Sequence, residues 1–246
     1  MTSDAASGWV FFDLGNTLVD ESRSDRAYLR QLYDLLRGYG ADLPKAQFHK
    51  TVEGMMALRV ASTHRQLAET LFLRYAKRGS KEEFLKQLFS RWSAQSYTKL
   101  WSLHKDVMPT LKAVGKNHPC GNIANQTEWG RKFIEQRTRF KSYFRVVVLS
   151  GEVGVAKPDR QIFLLALRRA GAPAKGSTYV GDRVDFDIAP AKALGMTTVL
   201  VKREYISSRI EPLQEEEKAD YEIGNLRGLE DIVDEGLFPE SGDDAS

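Results

Sequence analysis

Four short segments of this 246-residue sequence hold side chains able to do chemistry together. Asp13-Leu14-Gly15-Asn16-Thr17-Leu18 follows the apolar Val10-Phe11-Phe12, and Ala124-Asn125-Gln126-Thr127 closes a second apolar run. A third segment runs from Ser150-Gly151-Glu152 to Ala156-Lys157-Pro158, and the fourth is Gly181-Asp182-Arg183-Val184-Asp185-Phe186-Asp187. A carboxylate directly after an apolar run is costly to bury unless something pairs with it. Several carboxylates and one lysine gathered at one place would suit a metal ion and a phosphate. A carboxylate can attack phosphorus and form an aspartyl-phosphate, splitting hydrolysis into two easier displacements. Attack of one anion on another needs neutralisation, which Mg²⁺ supplies through carboxylates, a backbone carbonyl and waters. A lysine adds positive charge on the transferring oxygens, and N–H groups of a Gly-Asn turn can hold the others.

The elements that must position these segments are legible as apolar runs. Trp9–Phe12, Cys120–Ala124, Arg145–Leu149, Thr178–Val180 and Thr197–Val201 read as strands buried on both faces, and Asp220–Ile223 as a weaker sixth. Helical patterns at Val107–Val114, Glu128–Arg139, Gln161–Arg169 and Ile188–Leu194 alternate with them, which predicts an α/β fold with a mainly parallel open sheet flanked by helices. In such sheets ligands bind beyond the carboxyl ends of the strands, where strand order reverses. All four segments lie at strand ends.

The long interval between the first two strands, about Asp20 to Lys105, holds helical stripes and no convincing strand. Tyr28, Leu32, Leu35, Leu36 and Tyr39 share one spacing, as do Leu67, Leu71, Phe72 and Tyr75, then Phe84, Leu88, Phe89 and Trp92. Breaks at Gly38–Pro44 and Gly79–Ser80 separate them. The expected organisation is therefore a core of residues 1–20 and 105–246 with an all-helical insertion at 21–104.

Composition narrows the function classes. The net charge is +3, from 36 basic and 33 acidic residues mixed along the chain, which argues against nucleic acid as a partner. Lys132, Arg137, Arg139 and Lys141 read as a solvated helix face. The single cysteine, Cys120, excludes an intramolecular disulfide and reads as core. Residues 1–7 lack an apolar signal segment, and no apolar run approaches the ~20 residues that span a bilayer. The expectation is a cytoplasmic protein without a membrane partner; oligomeric state leaves no trace in the sequence.

Order and spacing of the segments resemble the haloacid dehalogenase-like (HAD) hydrolase superfamily over about residues 9–200. Phe11-Phe12-Asp13-Leu14-Gly15-Asn16-Thr17-Leu18 is similar to its first motif. Tyr143 to Phe163, with Val155-Ala156-Lys157-Pro158-Asp159, is similar to the third, and Val180-Gly181-Asp182 through Asp187 to the fourth. The resemblance implies a Rossmann-like core with a C1-type helical cap, near subfamily I. It implies a Mg²⁺-dependent phosphatase for a small phosphorylated substrate, with Asp13 as nucleophile and metal ligand. The Gly15 carbonyl and Asp182 would be further ligands, Asp187 would support the metal, and Lys157 would steady Asp13 and the phosphoryl oxygens. Asn16, Thr17, Asn125 and Lys157 are the candidate phosphate contacts. Asp185 has no assigned role. Arg23, Arg59, His64 and Arg65 are candidate specificity residues.

Two positions depart from the family pattern. Gly15 stands where a second Asp normally protonates the leaving group, and Ala124 where a Ser or Thr hydroxyl normally binds phosphate; Gln126 or Thr127 could substitute for the latter. These losses motivate an alternative, a degenerate member that binds a phosphoryl ligand or a partner with little turnover. A 2-haloacid dehalogenase needs no leaving-group acid, but typically lacks the Asp182 and Asp187 pattern and carries an aromatic residue at the Gly15 position. A phosphonate hydrolase would need a cap lysine such as Lys45 or Lys50 as a Schiff base.

Overall fold

The computed structural model describes residues 8–61, 63–91, 97–203 and 210–236. The chain divides into two compact units: Met1–Val19, Leu103–Arg203 and Pro212–Ser246 form one, Asp20–Ser102 and Glu204–Glu211 the other.

The first unit is built on a six-stranded sheet. Its strands are β1 (Val10–Phe12), β4 (Cys120–Ala124), β5 (Phe144–Leu149), β6 (Thr178–Gly181), β7 (Thr197–Val201) and β8 (Tyr221–Ile223). Every pairing is parallel and the order is β5-β4-β1-β6-β7-β8. Consecutive strands run outward from β1 to β5, then the chain returns to β1's other edge for β6. Strand order therefore reverses at β1, and Asp13 follows that strand directly. Register explains the close centre of the sheet: Phe11 lies opposite both Gly121 and Tyr179. A side chain at Gly121 would sit 2.5 Å from the Phe11 ring, so only glycine admits it. Phe11, Ile123, Val148, Tyr179, Ile162, Phe163 and Ala166 form one buried cluster, joining the sheet to the helix Arg160–Ala170. Truncating Phe163 within it would cost ~3–5 kcal/mol.

The chain leaves this unit after Val19 and returns at Leu103, beside its exit: the His104 N–H donates to the Leu18 carbonyl at 3.1 Å. Two short strands, β2 (Val19–Asp20) and β3 (Ser102–Leu103), pair here. They lie in an interval that the sequence assigned to helices alone, because two-residue strands leave no periodicity to read.

The second unit is helical: Ser22–Gly38, Lys45–Ala57, His64–Tyr75 and Lys81–Arg91. Its core joins Tyr28, Leu32 and Leu36 to Phe48, Leu71, Phe72, Phe84 and Leu88. A capping box starts the third helix, with Thr63 accepting from Gln66 N–H and Gln66 Oε1 from Thr63 N–H. Trp92, which the sequence placed on the last stripe, lies outside the described residues.

Other boundaries differ from the reading by pattern. The helix expected over Glu128–Arg139 is two, Glu128–Glu135 and Thr138–Lys141, and Arg137 between them donates back to the Phe133 carbonyl at 3.0 Å. The helix expected over Ile188–Leu194 begins earlier, as a wide turn over Val184–Ile188 with i to i+5 bonding, and continues as Ala189–Lys192. Trp9 precedes β1 rather than joining it.

Candidate active site

Asp13 follows β1 directly and is held there by its N–H, which donates to the Val180 carbonyl at 2.9 Å. Asp182 follows β6, and Asp187 sits in the wide turn after it. All three carboxylates are buried, and oxygens from the three lie within 4.8 Å of one another. Gly181 makes this approach possible. A Cβ there would fall 2.5 Å from the Asp187 Cβ, so the Gly-Asp pair at the strand end is a packing requirement.

Lys157 enters the same place from the loop after β5. Its Nζ donates to Asp13 Oδ1 and Asp187 Oδ1, each at 2.5 Å, and to the Tyr179 hydroxyl at 3.1 Å. The backbone of Lys157 is clamped by Asn125. Asn125 Oδ1 accepts from Lys157 N–H at 2.7 Å, and its Nδ2 donates to the Lys157 carbonyl at 2.8 Å. Asn125, a candidate phosphate contact by sequence, thus spends its acceptor and one donor in fixing the lysine. Asp159 caps the helix that follows, accepting from Gln161 N–H at 2.9 Å.

The turn after Asp13 is tight. The Gly15 carbonyl accepts from Thr17 N–H at 2.5 Å, with Asn16 at φ 52°. A carbonyl has a second lone pair, so this bond leaves one available. Thr17 Oγ1 is 3.4 Å from Asp182 Oδ1. The Thr17 carbonyl is anchored by Arg203 Nη2 at 2.9 Å, while the same guanidinium grips both oxygens of Asp106 at 2.8 and 3.1 Å. Thr127, a candidate for the missing hydroxyl, caps Glu128–Glu135 by accepting from Trp129 N–H at 3.3 Å.

Electrostatics follow from this geometry. Burial pushes the Asp13 carboxyl up to about 6; the Lys157 ammonium opposes the rise and the Asp187 charge adds to it. Burial alone would lower Lys157, but Asp13 and Asp187 outweigh it and hold the lysine above its ordinary value, hence charged. Tyr179 is pushed well up by burial and by the neighbouring carboxylates, so it stays a phenol. With the carboxylates ionised, three negative charges face one ammonium. That imbalance, on buried oxygen donors, fits a hard divalent cation.

Sequence reasoning singled out Asp13, Lys157, Asp182 and Asp187, and the structure gathers them. It missed Tyr179, whose hydroxyl lies 3.0 Å from Asp187 Oδ1 and 3.2 Å from the Ile123 carbonyl. A polar tip in an otherwise apolar buried strand was the available signal. Asp185 is forked by Arg183 at 2.7 and 3.0 Å and is not one of the grouped carboxylates. Lys45 and Lys50 are exposed, so neither is a desolvated amine. In the helical unit Arg23 is exposed, Arg65 pairs with Glu69 at 3.1 Å, and His64 Nε2 lies 3.1 Å from Asp25 Oδ1. Arg59 donates to the Glu211 carbonyl at 3.1 Å. No described helix is long and apolar enough to cross a membrane.

A parallel sheet reversing at β1, with aspartates and a lysine beyond its carboxyl edge, defines an α/β core of Rossmann-like topology. Residues 10–201 match the family described as haloacid dehalogenase-like hydrolase, and the chain belongs to that family. The glyceraldehyde 3-phosphate phosphatase of Methanocaldococcus jannaschii is 42% identical over 91 residues, covering 37% of this chain and 38% of that one. The protein of the same name from Methanothermobacter thermautotrophicus is 27% identical over 202 residues, covering 79% and 85%. The chain thus spans about two fifths of the first relative's length and more of the second's. In fold it is similar to a HAD phosphatase from Thermococcus onnurineus, with TM-score 0.61, 24% identity, and coverage of 92% and 97%.

Proposed function

We propose that this protein is a Mg²⁺-dependent phosphatase acting on a small phosphorylated metabolite through an aspartyl-phosphate on Asp13. The observation that carries the reading is the Asp13 carboxylate at the β1 end, bonded to Lys157 and within reach of Asp182 and Asp187. Phosphatase names among the relatives support it. Asp13, Asp182, Asp187 and the Gly15 carbonyl would hold the metal, whose charge would offset that of the phosphoryl oxygens. Asp13 attacks phosphorus with one carboxylate oxygen, the leaving oxygen departs, and water then splits the acyl-phosphate. Lys157 places positive charge beside both nucleophile and phosphoryl group. Asn125 fixes the lysine's backbone. The helical unit would act as the cap that selects substrate.

Gly15 and Ala124 favour one other reading, a binding protein with little turnover. Screening phosphorylated metabolites with Mg²⁺ separates the two. Turnover that excess chelator removes and Mg²⁺ restores, and that Asp13→Asn abolishes in a folded protein, is the expected result. Turnover near that of the wild type in Asp13→Asn would sink the assignment.

A further inference from the structure

An ammonium has three protons to donate, and in Lys157 all three have acceptors: Asp13, Asp187 and Tyr179. Lys157 is buried, so no bulk water competes for them. A lysine in this state has nothing left for a phosphoryl oxygen. Binding one requires that an existing bond be released. The two bonds to carboxylates are short and charge-assisted, roughly twice as strong as neutral ones. The bond to Tyr179 has the one uncharged acceptor of the three and is the longest, and it is the one to yield. Tyr179 tolerates the loss, because its own proton still has Asp187 Oδ1 at 3.0 Å or the Ile123 carbonyl at 3.2 Å. Its ring is fully buried and meets Phe163 edge-on at 5.0 Å, so the hydroxyl cannot follow the departing proton.

We propose that Tyr179 is a positioning residue for Lys157: it holds the third ammonium proton in the ligand-free site and surrenders it to a phosphoryl oxygen on binding. This rests on the phosphatase reading above. Its consequence runs opposite to that of an ordinary structural hydroxyl. Removing the hydroxyl removes a bond that binding must break, so the variant should bind phosphate more tightly. The gain expected from one hydrogen bond with a charged donor is roughly ten- to a hundredfold in affinity.

The experiment is calorimetric titration of inorganic phosphate into the full-length protein with Mg²⁺ in excess. Tyr179→Phe keeps the ring against Phe163 and loses only the oxygen. Tyr179→Met, which also lacks the hydroxyl, should tighten binding likewise. In a Lys157→Met background Tyr179→Phe should leave affinity unaltered, because the bond in question is already gone. Wild-type binding with unchanged or weaker affinity in both folded Tyr179 variants overturns this inference alone, as does tightening that persists without Lys157. Failure of the wild type to bind phosphate at all overturns the phosphatase reading and this inference with it.

Discussion

Gly181→Ala puts the packing at the end of β6 to a quantitative test. The new methyl carbon would lie 2.5 Å from Asp187 Cβ and Cγ and 2.7 Å from Oδ2. Ordinary contact begins at 3.4 Å, so one of the two residues must retreat by ~0.9 Å, the kind of overpacking that interiors resist. Gly181 pairs with Leu200 in a central buried strand, so the yielding partner is Asp187. Asp187 is tied to Lys157 at 2.5 Å, Tyr179 at 3.0 Å and the Arg183 N–H at 3.0 Å, and a shift of this size cannot preserve all three. Overpacking costs ~1–3 kcal/mol and loss of one hydrogen bond to a charged group ~1.5–3, together about 2.5–6 kcal/mol. Urea unfolding reads the stability, and a Mg²⁺ titration of turnover reads the site, where the requirement should rise more than tenfold. Gly154→Ala is the control. Its φ is +72° with nothing within 4 Å, so it should cost ~1–2 kcal/mol of backbone strain and leave the Mg²⁺ requirement alone. A Gly181→Ala protein with the wild-type unfolding midpoint and Mg²⁺ requirement would refute the claim that glycine here shapes the site.

Two further outcomes are expected. Because Gly15 offers no acid, alkyl phosphates should lose the ~10²–10⁴ that general acid catalysis supplies, while aryl and acyl phosphates lose far less. Single-turnover phosphorylation across a leaving-group series should show a steep slope that Gly15→Asp flattens; a shallow native slope would mean another group supplies the proton. Burial would raise the Asp106 carboxyl, but the Arg203 fork and the Leu226 N–H outweigh it and hold it below its ordinary 3.8. A depressed carboxylate contributes stability above that unfolded value and loses it as pH falls toward the folded one. Wild-type stability should therefore drop more steeply below pH 3.8 than that of Asp106→Asn, and parallel acid curves would contradict the clamp.

The sheet was legible because β4 and β7 are short runs, mostly apolar or β-branched, that match their observed bounds, and burial on both faces favours such runs. The helix Lys45–Ala57 escaped notice. Its buried side chains are Phe48, Val52 and Met55 alone, spaced among His49, Lys50, Thr51 and Gly54. The acidic half of the site could be read because Asp13 and Asp182 each follow a strand directly and Asp187 lies in the turn after the second, where chain order and chemistry coincide. The Asn125 clamp and the Arg203 fork could not, since they join residues 32 and 97 positions apart through contacts that no local pattern encodes. Tyr179 lay between these cases. Its position was visible in the strand, but its direction toward Lys157 depended on the register that sets it opposite Phe11.

The exit after Val19 and the return at Leu103, bonded through Leu18 and His104, carry an evolutionary consequence. An excursion whose two ends already touch imposes no span on the scaffold it leaves. Loop-closure entropy grows only with the logarithm of length, so enlarging such an excursion adds little cost. Lineages can therefore lengthen, trim or replace everything between Asp20 and Ser102 while β1 keeps its pairing with β4 and β6. Mutation can then vary the helical unit in one stretch of sequence while the buried aspartates and Lys157 stay encoded outside it.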